Sequence, residues 1–182
     1  MIRLADLAKY RNCGLCTEGL ERAYVLLGDV EYATPRAMVE AYLERGGDWK
    51  DVIRVAALLT SDRSWVWRIA RIAFEILPAP LNQYSETLGP DNCKEAMKRI
   101  SETYYNAVYN DDESDYKYAT LKNAYHVADE VAKIDKCADK FVPSYAANCA
   151  SYVEDFDDDD DNGETMQIII NIALDAVERE QS

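Results

Sequence analysis

The chain has 182 residues, of which 48% are hydrophobic, and a formal net charge of -14 at pH 7. This hydrophobic content excludes an acidic disordered chain and is enough for one domain with a sizeable core. The longest apolar runs, at residues 55–59 and 168–170, are much shorter than the ~20 residues that cross a bilayer. Residues 1–13 lack the apolar segment of a signal peptide, so we expect a cytoplasmic protein with no membrane partner.

The negative charge is confined to one part of the sequence. Residues 1–77 contain 11 basic and 11 acidic residues, whereas residues 78–182 contain 9 basic and 23 acidic residues. The second part therefore accounts for the whole net charge. A field of this sign repels nucleic acids and anionic membranes, and it attracts basic protein surfaces.

Three helices are predicted in residues 34–77 from their start and stop signals. Each begins after a Ser, Thr or Asp that can accept a hydrogen bond from the first backbone amides, and Gly or Pro ends two of them. The predicted caps are Thr34, Asp48 and either Ser61 or Asp62, and the predicted ends are Gly46-Gly47 and Pro78. Apolar residues recur there at helical spacing, for example at Val52, Val55, Ala56 and Leu59.

The second part predicts a short helix at 80–88 and longer helices that begin near residues 91, 114, 143 and 165. The runs at 110–115 and 154–164 are predicted to be acidic loops, because their like charges repel one another. Ile168 and Ile172 widen the apolar face of the last helix, which predicts burial on most sides. No segment alternates with a period of two for long enough to predict a strand.

These elements predict an all-α fold. We expect a compact array of about eight helices with short loops, and an acidic loop before the last helix. The change of charge near residues 78–90 is a candidate subdomain seam. Ile76 and Leu81 beside it favour continuous packing, so a single domain over residues 1–182 is the prediction.

Cys13 and Cys16 have the CxxC spacing of half a zinc site or of a redox pair. A zinc site needs four ligands, and no second CxxC or HxxxH motif is present, so Cys137 and Cys149 would have to complete it. A redox pair requires a thioredoxin-like βαβ unit, which a helical chain lacks. We therefore interpret Cys13 and Cys16 as structural thiols near the start of a helix, with no bound metal.

His126 is the only histidine, and Asp129 and Glu130 follow it by one helical turn. Catalysis by a histidine base also needs a nucleophile or a metal within reach. HExxH, GxSxG and glycine-rich phosphate-binding motifs are absent. The sequence therefore predicts a packed or ion-paired histidine in a protein that is not an enzyme, with no catalytic residue and no cofactor.

The second acidic loop contains the first half of a calcium-binding motif. Asp158, Asp160 and Asn162 alternate before Gly163, as oxygen ligands do in an EF-hand loop. The twelfth position, which needs a bidentate Glu, is Ile169. A calcium-binding helical module that uses residues 157–164, with Glu164 as a further ligand, is the alternative function, and a solvated acidic loop is the simpler interpretation.

Thirteen tyrosines against three phenylalanines is an unusual ratio. Tyrosine bridges core and solvent in helical proteins, and it is also enriched in the hot spots of protein interfaces. Helical spacing alone explains Tyr118 and Tyr125. The functional interpretation is a partner-binding surface of tyrosines and carboxylates: Tyr105, Tyr109, Asp111, Asp112, Glu113, Asp115, Tyr116, Asp157, Asp158, Asp159, Asp160 and Asp161.

The acidic part of the chain has two interpretations. Carboxylates keep many proteins soluble without any further role. Rows of carboxylates on rigid helices also imitate a duplex, which carries one charge per ~1.7 Å of its axis, and can occupy the nucleic-acid-binding groove of another protein. Direct binding of nucleic acid is disfavoured, because the basic residues form no stripe. We expect a basic protein surface as the partner, and the oligomeric state is left open.

Six short motifs follow one another along the chain: residues 13–20 (CGLCTEGL), 28–29, 47–49, 71–78 (RIAFEILP), 94–97 (KEAM) and 124–128 (AYHVA). They resemble segments of small helical proteins from phages, prophages and polymorphic-toxin loci, in particular the Imm-5-type immunity proteins. The resemblance implies an all-α fold, no cofactor and action by binding. The hypothesis is a phage or mobile-element inhibitor that blocks a basic surface of a nucleic-acid-handling defence complex, nuclease or toxin, as an immunity protein or DNA mimic.

Overall fold

The computed structural model describes residues 2–7, 17–109, 115–134, 136–155 and 163–181. The fold is all-α, as the sequence predicts. The helices are α1 (Leu4–Leu7), α2 (Thr17–Leu27), α3 (Pro35–Glu44), α4 (Trp49–Leu59), α5 (Ser64–Glu75), α6 (Tyr84–Thr87), α7 (Cys93–Tyr109), α8 (Asp115–Ile134), α9 (Val142–Glu154) and α10 (Glu164–Glu180), with 3-10 turns at Leu81–Gln83 and Asp139–Phe141.

One small strand pair stands beside the helices. β1 (Ile2–Arg3) and β2 (Glu31–Tyr32) pair in antiparallel fashion, with Ile2 opposite Tyr32. A two-residue strand is too short to show an alternating pattern, and for this reason the sequence does not predict it. The pair fixes the first described residues to the turn between α2 and α3.

Local hydrogen bonds form the predicted starts of α3 and α4. Thr34 Oγ1 accepts a hydrogen bond from the amide of Ala37 at 3.1 Å, and Pro35 is the first residue of α3. Asp48 Oδ1 accepts a hydrogen bond from the amide of Lys50 at 2.9 Å. Both caps satisfy amides that have no partner within their helix, so these predictions are confirmed.

Asp62, rather than Ser61, supports the start of α5. Its carboxylate accepts hydrogen bonds from the amide and the hydroxyl of Ser64 at 2.9 and 2.7 Å. These two bonds lower the pKa of Asp62. The Ser61 hydroxyl donates instead to Glu180 at the end of α10, at 2.5 Å.

Residues 78–90 contain the predicted short helix as a 3-10 turn followed by α6. Leu81 and Leu88 are buried in the same core cluster as Phe74 and Cys93, on either side of this segment. The Phe74 and Tyr84 rings meet edge to face at 6.3 Å. The packing of α5 therefore continues through this segment into α7.

Helix α9 lies at the centre of the fold and contacts α4, α5, α8 and α10. Its buried side chains are mostly small: Ala146, Ala147, Cys149 and Ala150 are at most 2% exposed. Small side chains let neighbouring helices approach closely on several sides. This helix therefore positions α8 and, through α8, the face formed with α7.

Helix α10 joins two clusters of buried side chains. Ile169 and Val177 belong to the main core, whereas Ile170 and Leu174 pack with Leu4, Leu20, Leu27 and Met38 near the N-terminus. Burial on most sides is the prediction for this helix, and Ile172 is indeed buried. Ile168 is an exception, since 42% of its surface is exposed, because it lies on the solvent-facing side of the helix with Glu164, Asp175 and Arg179.

Candidate functional site

Partly exposed aromatic side chains cross from α7 over α8 to α9. The Tyr104 and Tyr105 rings meet edge to face at 5.8 Å, and Tyr125 meets His126 in the same way at 6.1 Å. His126 then stacks on Tyr152 of α9 at 5.0 Å, with ring planes 18° apart. We call these five residues the tyrosine strip. Each of these five side chains is at least partly exposed.

Helices α8 and α9 pack against each other in antiparallel orientation, and the strip crosses from one to the other at this contact. Along α8, the side chains that meet α9 recur every three or four residues, so they share one face. The facing pairs are His126 with Tyr152, Glu130 with Asn148, and Lys133 with Tyr145. The start of α8 and the end of α9 therefore lie in the same half of this helix pair.

Glu130 is the buried carboxylate at this contact. Its two oxygens accept hydrogen bonds from Lys133 Nζ at 2.8 Å and from Asn148 Nδ2 at 3.1 Å. Lys133 also pairs with Asp129 at 2.6 Å, and these contacts with Asp129 and Glu130 raise the pKa of Lys133. The ammonium group stays charged at neutral pH, so it is unsuited to act as a base or nucleophile.

Of the two predicted states of His126, packed or ion-paired with Asp129 or Glu130, the structure shows the packed one. Both carboxylates bind Lys133, and His126 stacks on Tyr152 instead. The prediction of a packed histidine stands, with an aromatic partner in place of a charged one. The sequence spacing places Asp129 and Glu130 one helical turn from His126. Lys133 on the same helix binds both carboxylates instead.

An open cleft of about 370 Å³ lies between α7 and α8. Its described lining combines a buried apolar floor, a tyrosine wall and one lysine: Ile100, Ser101, Tyr104, Tyr105, Leu121, Lys122 and Tyr125. Ile100 and Leu121 are buried, whereas Tyr105 is 60% exposed. The cleft is at the small end of the range for ligand pockets, and it has room for the end of one long side chain.

The structure places the predicted site residues unevenly. Tyr105 lies exposed on the tyrosine strip. Tyr109 ends α7, and Asp115 and Tyr116 begin α8, but their side chains are not described. The remaining predicted residues lie outside the described ranges: Asp111, Asp112, Glu113, Asp157, Asp158, Asp159, Asp160 and Asp161.

Both acidic segments leave the described fold close to the tyrosine strip. Tyr105 is four residues before the end of α7, about 6 Å along the helix axis, and Tyr152 is three residues before Asp155, about 4.5 Å. Residues 110–114 and 156–162 together contain eight carboxylates and no basic residue. The two helix ends that precede the most acidic segments of the sequence therefore lie close to the strip.

Many helical carboxylates of residues 78–182 are paired within the protein. Those with an ion pair are Glu95, Glu102, Asp129, Glu130, Asp139, Asp175 and Glu178. Their partners include Arg36 and Arg63 from the electrically neutral first part of the chain. Much of the charge on the described helices is thus compensated internally. Residues 110–114 and 156–162, which contain eight further carboxylates, lie outside the described residues.

The calcium alternative rests on residues that the structure describes only in part. Asp158, Asp160 and Asn162 lie outside the described residues, whereas Glu164 is exposed at the start of α10. Gly163 has a positive φ of 64°, which suits a turn before a helix. At the twelfth position of the motif, Ile169 is fully buried. No group of His, Cys, Asp or Glu within the described residues could hold a metal ion.

The cysteines that the structure describes are packed inside the fold or near helix ends. Cys149 is buried, and burial raises the pKa of its thiol, which disfavours the reactive thiolate. Cys93 and Cys137 donate to backbone carbonyls at 3.9 and 3.5 Å. Cys13 and Cys16 lie outside the described residues, so their interpretation as structural thiols stays a prediction.

A second polar centre, around Asp51, was not predicted. Its carboxylate accepts hydrogen bonds from Tyr42 Oη and Arg54 Nη1, both at 2.8 Å, and lies 3.3 Å from Arg22 Nη2. Burial and the hydrogen bond to Asp51 raise the pKa of Tyr42 to about 12. The amphipathic pattern shows the Asp51–Arg54 spacing, but Arg22 and Tyr42 come from other helices. The centre ties α2 and α3 to α4.

These observations define the class as an all-α protein with a partly exposed aromatic strip on α7, α8 and α9. None of the helices in the described part is long and apolar enough to cross a membrane. The chain matches no protein-family model, no curated protein and no solved structure. Its function must therefore be inferred from the tyrosine strip and its surroundings.

Proposed function

We propose that this protein is a non-enzymatic inhibitor that binds a basic surface of another protein through the tyrosine strip. The partner is a nucleic-acid-handling protein, such as a nuclease, a toxin or a defence complex. Blocking its basic surface keeps nucleic acid away from it. The observation that carries the proposal is the tyrosine strip, whose Tyr105 and Tyr152 lie within about one helical turn of helix ends that an acidic segment follows in the sequence.

The tyrosines supply contact area at low entropic cost. Tyrosine side chains have two rotatable bonds and combine an apolar ring with a polar tip, and they are enriched among interface hot spots. Tyr125 and Tyr152 are half-buried against the main core, so they are already ordered before a partner arrives. Binding therefore costs less conformational entropy than ordering exposed side chains.

The carboxylates supply attraction over distance. Carboxylates at the rim of an interface mainly raise the association rate and select partners of opposite charge. The segments at 110–114 and 156–162, which follow α7 and α9 in the sequence, carry eight of them. Because helical carboxylates are largely paired, a duplex mimic would depend on these segments rather than on rows along the helices.

Stoichiometric inhibition is the test. Host proteins that the chain retains at about 50 mM salt and releases at about 500 mM, over which the screening length falls about threefold, would be identified and purified. We expect the retained protein to lose binding to a fluorescent duplex at about one chain per partner. A partner that still binds the duplex when saturated with this protein, or retention unaffected by salt, would contradict the proposal.

A further inference from the structure

We propose that an apolar cavity between the first four helices and α10 binds a small, neutral, apolar ligand. The cavity has a volume of about 70 Å³ and is partly open to solvent. Its described lining comes from α1, α2, α3, α4 and α10, and the buried part of that lining includes Leu20, Met38, Val52 and Leu174. None of the residues of the tyrosine strip is among the described lining residues, so this site is separate from the proposed partner-binding surface.

Small residues on α2 leave this volume open. Gly19 and Ala23 are one helical turn apart and therefore share a face of the helix, and both line the cavity. The space beside Gly19 is taken by Asp51, whose Oδ1 would lie 2.7 Å from a Cβ atom at position 19. Ala23 carries only a methyl group, so the next turn of α2 leaves room that a longer side chain would fill.

The charged side chains at the cavity are already paired. Asp51 and Arg54 are the charged residues among the described lining, and they bond to each other at 2.8 Å. In the described part of the chain, no buried side-chain nitrogen or oxygen atom lacks a hydrogen-bond partner. A charged ligand would therefore lose its hydration without meeting a free counter-charge, which favours a neutral ligand.

The cavity offers little to water and more to carbon groups. A buried water molecule needs two to four polar partners, whereas an apolar cavity of ~150 Å³ engineered in another protein stays dry and binds benzene or xenon. Methyl and methylene groups that enter such a cavity leave water and gain contacts with its wall. A volume of about 70 Å³, at ~30 Å³ for each water-sized group, has room for roughly two or three of them.

The main experiment compares three ligands that share a three-carbon chain and differ in charge: 1-propanol, propionate and propylammonium. The methyl resonances of the protein are followed by NMR during each titration, at constant ionic strength. We expect 1-propanol to shift the resonances of Leu20, Met38, Val52 and Leu174, with a dissociation constant on the order of millimolar, as its few atoms allow. The two ions should bind at least about tenfold more weakly, because neither finds a free counter-charge.

Filling the cavity should abolish binding without harming the fold. We expect Ala23→Leu to weaken 1-propanol binding at least about fivefold, since the added carbon atoms occupy the volume that the ligand needs. Ala119→Leu makes the same change at an exposed position of α8 and should bind like the unmodified protein. Val39→Phe, at a half-buried lining position of α3, is a second filling variant. Circular dichroism and melting show which variants retain the fold.

Each part of the proposal can fail separately. If propionate or propylammonium binds as tightly as 1-propanol, the assignment of a neutral ligand is wrong. If about 100 mM 1-propanol, far above a millimolar dissociation constant, leaves the four sets of resonances unchanged, or if a folded filling variant binds as well as the unmodified protein, the cavity is not a ligand site. None of these results bears on the tyrosine strip, so the proposed function is tested independently.

Discussion

Tyr42 donates its hydroxyl proton to the buried carboxylate of Asp51 at 2.8 Å, across the interface between α3 and α4. The oxygen that accepts it has Arg22 as its other neighbour, at 3.3 Å. We expect Tyr42→Phe to lower the free energy of unfolding by about 1.5–3 kcal/mol, because a hydrogen bond to a charged group is lost in a buried site. Urea unfolding measures this change. Tyr24→Phe, a half-buried tyrosine of α2, is the control and should change stability by less than about 0.5 kcal/mol.

The same contact predicts how stability depends on alkaline pH. The pKa of Tyr42 is raised from 10.0 to about 12 in the fold, so the folded protein keeps this proton to higher pH than the unfolded chain does. Its contribution is therefore complete below pH 10 and is lost as the pH rises from about 10 to about 12. Urea unfolding over this range should show a shallower decline for Tyr42→Phe than for the unmodified protein. Parallel declines would contradict the assignment.

Gly19 touches the same centre from α2. A Cβ atom at this position would lie 2.7 Å from Asp51 Oδ1 and 2.9 Å from its Cγ. Alanine normally stabilises a helix interior relative to glycine by about 1 kcal/mol, yet here it must displace a hydrogen-bonded carboxylate. We expect Gly19→Ala to destabilise the protein by about 1–3 kcal/mol. Gly89→Ala is the comparison, since its Cβ would meet only the Thr87 carbonyl oxygen at 3.7 Å; equal effects at the two sites would refute the steric argument.

The parts of the fold that the sequence predicts are those that neighbouring residues determine. Thr34 and Asp48 cap α3 and α4 through amides two or three residues away, so the local sequence contains both partners of each bond. The Asp51 centre depends on Tyr42 and Arg22 from two other helices. Which helices meet there depends on the packing of the whole chain, and no local pattern shows it.

In the candidate site, too, the sequence predicts the local features but not the contacts between distant helices. Tyrosines on α7 and α8 are visible as a cluster in the sequence, and the structure shows Tyr105 exposed. The stacking of His126 on Tyr152 joins positions 26 residues apart and required the register of α8 and α9. The pairing of Asp139, Asp175 and Glu178 does not follow from local spacing either, because Arg63 and Arg36 reach them from the neutral part of the chain.

Calcium provides a direct test of the alternative function. A calcium ion bound at 157–164 would stabilise the fold by mass action and raise the melting temperature. We expect no rise in millimolar calcium, because the twelfth position of the motif is the fully buried Ile169 rather than a bidentate glutamate. Melting curves with calcium and with a chelator measure this. A rise that disappears in Asp158→Ala would instead establish the calcium site.

Charge reversal in the first acidic segment tests why this segment attracts a partner. The attraction could depend on the position of its carboxylates or only on their contribution to the net charge. The test variant replaces Asp111, Asp112, Glu113 and Asp115 with Lys, and the control variant replaces four exposed acidic residues of the neutral part, Glu21, Glu40, Glu44 and Glu75, with Lys. Both variants change the net charge equally. Because attraction is strongest for charges beside the interface, we expect the test variant to bind an arginine peptide about tenfold more slowly at low salt, and the control variant to lose much less.

Stopped-flow association rates over a series of salt concentrations measure this difference. The two variants should converge at high salt, where charges more than a few ångströms apart are screened. Unfolding in urea should remain close to that of the unmodified protein for the test variant, because residues 111–113 lie in a segment of like charges that repel one another in the unmodified chain. If the charge reversals of the control variant slow association as much as those of the test variant, the attraction depends on the net charge of the whole molecule. That result would contradict the proposal that the partner binds at the tyrosine strip.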